Sequence, residues 1–208
     1  MKNLNIIDHP VMNHKLNTMR QKETTSEDFR RLAREVSRLL AFEVTKTISV
    51  EEKVIETPLS PMTAKFIVDN SLAIVSILRA GNGILDGFLD VVPMAGVGHI
   101  GLERDAETLE AKQYYYKVPN KMSQRFVILV DPMLATGNSA IAALDKIMQE
   151  NPKRVCFVSL LAAPEGVKKI HDKYPEVEIY SASLDERLNE KSYIVPGLGD
   201  AGDRIYNT

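Results

Sequence analysis

The sequence predicts an α/β fold with a mostly parallel central sheet flanked by helices. Three continuous apolar runs, at residues 72–78, 126–130 and 155–161, are too short for surface helices and lack the alternation of half-exposed strands. Such runs are typical of parallel strands that are buried on both faces. Helical patterns lie between the runs. Because strands alternate with helices, we expect ligands to bind at the carboxyl ends of the strands.

The helices are predicted from apolar spacing and from capping residues. Thr25 and the acidic residues after it form a capping pattern before an amphipathic stretch at residues 29–40. A second helical pattern follows residue 140, and a third follows Pro164. We expect the 208 residues to form one domain, in which residues 1–50 make an N-terminal helical arm.

The composition narrows the classes of partner. The formal net charge of −2 comes from 26 basic and 28 acidic residues, which gives no overall field to attract nucleic acid or an anionic membrane. The chain shows no signal peptide and no apolar stretch of about 18 residues, so we predict a cytoplasmic protein that does not span a membrane. The single cysteine, Cys156, lies in an apolar run, where we expect a buried and inert thiol.

Two glycine-rich segments match the dinucleotide pattern G-x-G-x-x-G but lack its context. The segment at residues 96–101 has no acidic residue about 20 positions further on, and the segment at 197–202 stands too near the end of the chain to open a βαβ unit. The P-loop pattern is absent, and the four histidines do not have the spacing of metal ligands. The sequence therefore does not predict a dinucleotide, P-loop or zinc site.

The segment ILVDPMLATGNSA, residues 128–140, has the context of a ligand site. An apolar strand ends at Asp131, and a short loop of small and hydroxyl residues leads into a helix. Residues 135–139 would direct N–H groups and side-chain donors to the positive end of the helix dipole, which suits a phosphate. Asp131 is placed to accept hydrogen bonds from sugar hydroxyls. The phosphate loop and this acid together predict a phosphosugar ligand. The alternative is that Thr136 or Ser139 only caps the helix.

This segment resembles the phosphoribosyl-pyrophosphate (PRPP) loop of the type I phosphoribosyltransferases, and its DPMLATG form is similar to that of the uracil phosphoribosyltransferases. The resemblance extends over nearly the whole chain, through ILRAG at 77–81, GHIGL at 98–102, AAPEG at 162–166 and YIVPGLGDAGDR at 193–204. It implies the type I phosphoribosyltransferase fold, with a mobile flap at residues 103–117 and a small C-terminal hood at residues 181–208 over the base site.

The resemblance also implies the reaction. The phosphoribosyl group of PRPP would pass to N1 of uracil with inversion at ribose C1, giving UMP and pyrophosphate. The cofactor would be Mg²⁺, held mainly through PRPP, with Asp200 as a candidate ligand. The resemblance further implies a homodimer or higher homo-oligomer and leaves GTP open as an activator.

Roles for individual residues follow from the same resemblance. Arg79 and Arg104 would bind the pyrophosphate, Asp131 the ribose hydroxyls, and Asp200 both PRPP and magnesium, and these four are the catalytic candidates. The other predicted PRPP contacts are Pro132, Met133, Leu134, Ala135, Thr136, Gly137, Asn138 and Ser139. The predicted uracil contacts are Ile194, Gly199, Asp200 and Ala201.

Two residues depart from the family pattern. Asn138 stands where a second glycine is usual, and we expect it to adopt the positive φ of that glycine, because asparagine tolerates this conformation. Asn82 stands where an apolar residue is usual, and it could add a donor or only solvate the loop. Two other functions stay open: a non-catalytic regulator that senses nucleotides or binds RNA, and a phosphoribosyltransferase for a purine or orotate.

Overall fold

The computed structural model describes residues 3–104 and 111–208, which form an α/β structure. In chain order, the strands and α-helices are β1 (Leu4–Ile6), α1 (Pro10–Arg20), α2 (Ser26–Val44), β2 (Val50–Glu56), β3 (Pro61–Ile67), β4 (Leu72–Leu78), α3 (Asn82–Val91), β5 (Gly96–Arg104), β6 (Ala111–Lys117), β7 (Phe126–Val130), β8 (Met133–Leu134), α4 (Asn138–Gln149), β9 (Arg154–Ala162), α5 (Pro164–Lys173), β10 (Glu178–Leu184), β11 (Arg187–Leu188), β12 (Ile194–Val195) and α6 (Ala201–Tyr206).

The three apolar runs form adjacent strands in the middle of one eight-stranded sheet. Along the sheet the order is β1-β10-β9-β7-β4-β5-β6, and β8 adds to β9. The central strands β4, β7 and β9 pair in parallel and are buried, whereas β6 runs antiparallel to β5. The predicted α/β class and mostly parallel sheet are therefore confirmed.

Helices cover both faces of this sheet. Helix α2 begins where predicted, because the Thr25 hydroxyl accepts a hydrogen bond from the Asp28 N–H at 3.2 Å. Its apolar face joins α1, α3 and α6 in one core against the sheet. Helices α4 and α5, which were predicted after residue 140 and after Pro164, form a second core on the other face. Burial of each large apolar side chain in these cores contributes roughly 1.5–3 kcal/mol to folding.

Two predicted segment boundaries do not coincide with the elements. The N-terminal arm contains β1, which pairs with β10, and α1 and α2 pack on the sheet, so residues 4–44 belong to the main body of the fold. The predicted hood at residues 181–208 begins inside β10. Neither β1 nor β10 was predicted as a strand, because β1 is short and β10 mixes small polar with apolar residues, which leaves no continuous apolar run.

The predicted flap at residues 103–117 coincides partly with an antiparallel ribbon of β5 and β6. Residues 103 and 104 pair with 112 and 111, and the three tyrosines at 114–116 lie on β6. Residues 105–110 lie outside the described part of the chain. None of the helices in the described ranges combines the length and apolar character needed to cross a lipid bilayer.

Candidate active site

A cleft of about 250 Å³ opens at the carboxyl ends of the central strands. One side is formed by the loop after β4, at Ala80, and by the segment after β7, which includes Asp131, Met133 and Ala135. The other side is formed by residues 192–194 and 199–202. The loops meet here because the carboxyl ends of parallel strands share one edge of the sheet. The cleft brings together the predicted ribose acid and all four predicted uracil contacts, Ile194, Gly199, Asp200 and Ala201.

Two carboxylates face the same cleft. Burial and, to a smaller extent, the negative charge of Asp200 together raise the pKa of Asp131 to about 8. Asp131 nevertheless keeps partial contact with solvent through the cleft, whereas Asp200 is exposed. An uncharged Asp131 is therefore expected near neutral pH in the absence of ligand. A bound cation or a set of sugar hydroxyls would favour its ionised form.

The predicted phosphate loop is a tight turn between β8 and α4. Gly137 is the N-cap of α4 and adopts φ +78°, whereas Asn138 is the first residue of the helix. The expectation that Asn138 takes a positive φ is wrong, because the left-handed position falls one residue earlier, on a glycine. Asparagine replaces glycine here at a position where the backbone is helical and any ordinary side chain is accepted.

The loop leaves helix N–H groups available. Neither Thr136 nor Ser139 is the cap of α4, since the N-cap is Gly137. The N–H groups of Ser139 and Ala140 have no hydrogen-bond partner among the residues described here. The Thr136 hydroxyl accepts a bond from the Asn138 N–H at 3.4 Å, a long contact that holds the turn. Free N–H groups at the start of a twelve-residue helix are suited to an anion.

Helix α5 supports this loop from behind. A Cβ atom added to Gly166 would lie 2.5 Å from the Ala135 carbonyl oxygen, so only glycine allows the close approach. Lys169, one turn further along α5, donates a hydrogen bond from its ammonium to the Asn138 side-chain oxygen. The motif at residues 162–166 pointed to Gly166, but nothing in the sequence linked Lys169 to the loop, because that contact depends on how two helices pack.

Several predicted site residues do not line the cleft. The Leu134 side chain is 1% exposed and packs in the core, so only its backbone could meet a ligand. The cleft lining ends at Ala135 on this segment and does not include the four residues after it, Thr136, Gly137, Asn138 and Ser139. Arg104 ends β5, and its side chain lies outside what the structure describes.

The predicted pyrophosphate arginine Arg79 packs against the last helix. Its guanidinium carbon lies 5.7 Å from the centre of the Tyr206 ring, and the Tyr206 hydroxyl donates to the Arg79 carbonyl oxygen at 2.7 Å. The sequence left open whether Asn82 adds a hydrogen-bond donor or only solvates the loop. In the structure its side-chain oxygen accepts a bond from the Ser76 hydroxyl at 2.8 Å. Asn82 therefore ties the start of α3 to β4. No sequence pattern pointed to Tyr206, which lies outside the recognised motifs.

The acids of the cleft fit a magnesium ion that is held mainly by substrate. Within residues 3–104 and 111–208, no three acidic, histidine or cysteine side chains cluster as a protein-only metal site. Asp131 and Asp200 offer carboxylate oxygens on the same cleft, and Mg²⁺ is commonly held by one or two carboxylates together with substrate phosphates. The residues present are consistent with that arrangement.

Comparison with known proteins places the chain in one family. A family model described as uracil phosphoribosyltransferase matches residues 6–208. A uracil phosphoribosyltransferase of Sinorhizobium fredii is 53% identical over 208 residues and covers both chains completely. One from Legionella pneumophila is 55% identical over 203 residues, which are 98% of this chain and 95% of the relative.

Two solved structures have the same fold. The AQ2163 protein of Aquifex aeolicus is 42% identical to this chain and superimposes on it with a TM-score of 0.93. The alignment covers 98% of this chain and 97% of the Aquifex chain. A hypoxanthine phosphoribosyltransferase of Trypanosoma cruzi, 13% identical with a TM-score of 0.52 over 76% of each chain, shares the fold alone. The full-length family match and the close relatives show that this chain belongs to the uracil phosphoribosyltransferase family.

Proposed function

We propose that this chain transfers the phosphoribosyl group of PRPP to N1 of uracil, giving UMP and pyrophosphate. The observation that supports this most directly is the single cleft that Asp131 and residues 199–201 line together. A ribose held at Asp131 and a base held at that backbone would share one cleft, which favours reaction by proximity. The family membership and the relatives' names support the same reaction.

In the proposed mechanism the N1–C1 bond forms as the bond from C1 to the pyrophosphate oxygen breaks, and the bonding pair leaves with pyrophosphate. The N1 proton passes to the departing pyrophosphate or to solvent, so no side chain is assigned to accept it. Asp131 accepts hydrogen bonds from the ribose hydroxyls and fixes the sugar. The turn at residues 135–139 holds the 5-phosphate through N–H groups at the start of α4. Arg79 and Arg104 bind the pyrophosphate and stabilise the charge that develops as it leaves C1. When bound, Mg²⁺ neutralises phosphate charge, and Asp200 is the side chain we propose to hold it.

The cleft also bears on the choice of base. The residues that line it include the acids Asp131 and Asp200 but no lysine or arginine in the described part of the structure. Orotate carries a carboxylate that would require a cation, so this lining favours an uncharged base. Uracil presents two carbonyl acceptors and an N–H donor, which backbone groups at Gly199 and Ala201 can read.

The test is formation of UMP from uracil and PRPP with Mg²⁺, with orotate, cytosine and hypoxanthine as competing bases. We expect turnover of uracil alone. Asp200→Asn keeps a residue that can cap α6, yet it should lower kcat/KM for PRPP at least tenfold, about the value of one charged hydrogen bond. Asp203→Asn removes an acid three positions further along the same helix and should leave kcat/KM within about twofold.

The outcomes separate the three functions. If no base is turned over while PRPP still binds, the chain is a non-catalytic regulator. If another base is preferred, the reaction class stands and the substrate is wrong. The expected homo-oligomer, GTP activation, Mg²⁺ requirement and cytoplasmic location stay predictions, to be tested by light scattering, by assays with and without GTP or a chelator, and by cell fractionation.

A further inference from the structure

The wall of the cleft that carries the predicted base contacts has little regular structure of its own. After the two-residue strand β12, the chain runs through Gly197 and Gly199, which adopt φ +63° and +81°. Glycines have the widest choice of backbone conformation, so a segment built on two of them requires outside contacts to keep one shape. Two arginines from distant elements supply such contacts.

Arg20, the last residue of α1, holds the first part of the wall. Its guanidinium donates to both carboxylate oxygens of Asp185 at 2.7 Å and to the Gly197 carbonyl oxygen at 2.8 Å. Asp185 in turn accepts a bond from the Gly197 N–H at 2.8 Å. The peptide groups on both sides of Gly197 are therefore fixed by one ion pair.

The ion pair is itself protected from water. The Asp185 side chain is 3% exposed and the Arg20 side chain 19%. Burial would raise the pKa of Asp185, but hydrogen bonds from Arg20, Ser183 and the Gly197 N–H hold it below its usual value. A buried carboxylate with this many donors is a rigid anchor, because each donor would lose its partner if the group moved.

Arg204, on α6, holds the next peptide. One nitrogen of its guanidinium donates to the Leu198 carbonyl oxygen at 3.0 Å and to that of Met19, and the other donates to the Gln21 carbonyl at 2.7 Å. The same group lies over the Phe29 ring, 4.6 Å from its centre. Arg204 thus ties the wall to the turn between α1 and α2.

These two contacts set the direction of the N–H groups that follow. In a trans peptide, the carbonyl of one residue and the N–H of the next lie in one plane and point in opposite directions. Arg20 on the Gly197 carbonyl therefore orients the Leu198 N–H, and Arg204 on the Leu198 carbonyl orients the Gly199 N–H. Gly199 lines the cleft, and its N–H has no partner among residues 3–104 and 111–208.

We infer that Arg20 and Arg204 are positioning residues for the base, which act through the carbonyls of Gly197 and Leu198 to fix two consecutive peptides and so aim the Gly199 N–H, the group that we propose pairs with uracil. The inference rests on the proposed function. Its consequence is that the N-terminal helices control selection of the base, although none of their residues lines the cleft. The proposed PRPP contacts lie on the opposite wall except for Asp200, whose carboxylate accepts a bond from the Asp203 N–H and from neither arginine. The KM for PRPP should therefore not sense the change.

The experiment compares the KM for uracil with the KM for PRPP in Arg204→Lys and Arg20→Lys. Lysine keeps the charge but cannot reproduce the planar fork that serves several carbonyls at once. We expect the KM for uracil to rise about tenfold, because each variant loses one charged hydrogen bond to the wall. The KM for PRPP should stay within about twofold of the wild-type value. The preference for uracil over cytosine should also fall at least tenfold, because a wall that is free to turn can pair with either base.

Arg30→Met is the matched control. Arg30 also donates to a carbonyl of α6, that of Ile205 at 2.8 Å, but it makes no contact with Gly197 or Leu198. We expect both KM values and the base preference to stay within twofold in this variant. Arg204→Met, which removes all the donors and keeps an apolar stem over Phe29, should show a larger rise in the KM for uracil than Arg204→Lys.

Three results would overturn the inference: an unchanged KM for uracil in both lysine variants, an equal rise in both KM values, or the same loss of base preference in Arg30→Met. The last two would indicate general loosening of the fold. If Arg204→Met does not fold, the lysine variants decide. Failure of the wild-type protein to use uracil would instead reject the proposed function, so the two failures are distinguishable.

Discussion

Replacement of Asp131 by asparagine should change how the stability of the ligand-free protein depends on pH. The pKa of Asp131 is raised to about 8, first by burial and second by the charge of Asp200. In the unfolded chain an aspartate titrates near pH 4. Between about pH 4 and pH 8 the folded protein therefore holds a proton that the unfolded chain has released, so its stability falls as the pH rises through this window.

The size of the effect follows from the shift. A tenfold change in a protonation equilibrium corresponds to about 1.4 kcal/mol, so raising the pKa from about 4 to about 8 sets an upper limit of roughly 5.6 kcal/mol. Solvent in the cleft screens part of this, and we expect a measured effect of about 1–3 kcal/mol. Asparagine resembles the protonated acid in shape and does not titrate, so Asp131→Asn should match the wild-type protein near pH 4. The free energy of unfolding by which the variant exceeds the wild type should then grow from pH 5 to pH 9.

Urea unfolding of both proteins at pH 5, 7 and 9 measures this difference directly, since other titrating groups are common to both. A second variant, Asp200→Asn, removes the charge that is the smaller cause of the raised pKa of Asp131. In this variant the loss of stability should end at a lower pH than in the wild-type protein, but at a higher pH than expected for an unperturbed aspartate. A difference between Asp131→Asn and wild type that is the same at all three pH values would show that Asp131 is ionised throughout. The reasoning from burial would then be wrong.

Three further predictions concern the substrates. Thr136→Val should raise the KM for PRPP at least tenfold, about 1.5–3 kcal/mol, if its hydroxyl meets the 5-phosphate, and unchanged kinetics would reject that contact. Asn138→Gly and Asn138→Val should both keep the KM for PRPP within about threefold, because the position is helical; a severe defect in the valine variant alone would restore the positive-φ interpretation. Gly199→Val, at φ +81°, should abolish uracil turnover, whereas Ile194→Ala, which keeps the backbone, should lower activity modestly and still reject cytosine in a two-base assay.

The parts of the fold that sequence predicted are those with a strong local signal. The runs that became β4, β7 and most of β9 are continuous and apolar, and the capping pattern at Thr25 marks the start of α2. The strands β1 and β10 were not predicted, because β1 has only three residues and β10 mixes small polar with apolar residues, which leaves no continuous apolar run. The two strands pair with each other. Pairing across about 175 positions is a property of the packed chain.

The candidate site divides in the same way. The segment at residues 128–140 encodes its own strand, turn and helix, so the sequence was enough to place Asp131 at the end of a strand and an anion loop after it. It could not resolve which residue in the loop takes the left-handed conformation, since Gly137 and Asn138 both tolerate it. Packing against Gly166 of α5 favours the glycine, because a Cβ at position 137 would lie 3.2 Å from the Gly166 carbonyl oxygen.

The contacts that hold the wall of the cleft with the predicted base contacts could not be predicted from the sequence, for a different reason. Arg20 and Gly197 are separated by 177 positions in the chain, and Arg204 and Gln21 by 183, so no local pattern relates them. The sequence predicts a helical arm at residues 1–50 with an amphipathic helix at residues 29–40, which explains the apolar residues of that helix but gives no role to Arg20. The structure gives Arg20 a role, because it and Arg204 bind the Gly197 and Leu198 carbonyls. The helices that pack in one core therefore also fix the peptide planes of the cleft wall. Because the same contacts serve folding and base selection, substitutions at the end of α1 should affect uracil more than PRPP, even though PRPP is the larger and more highly charged substrate.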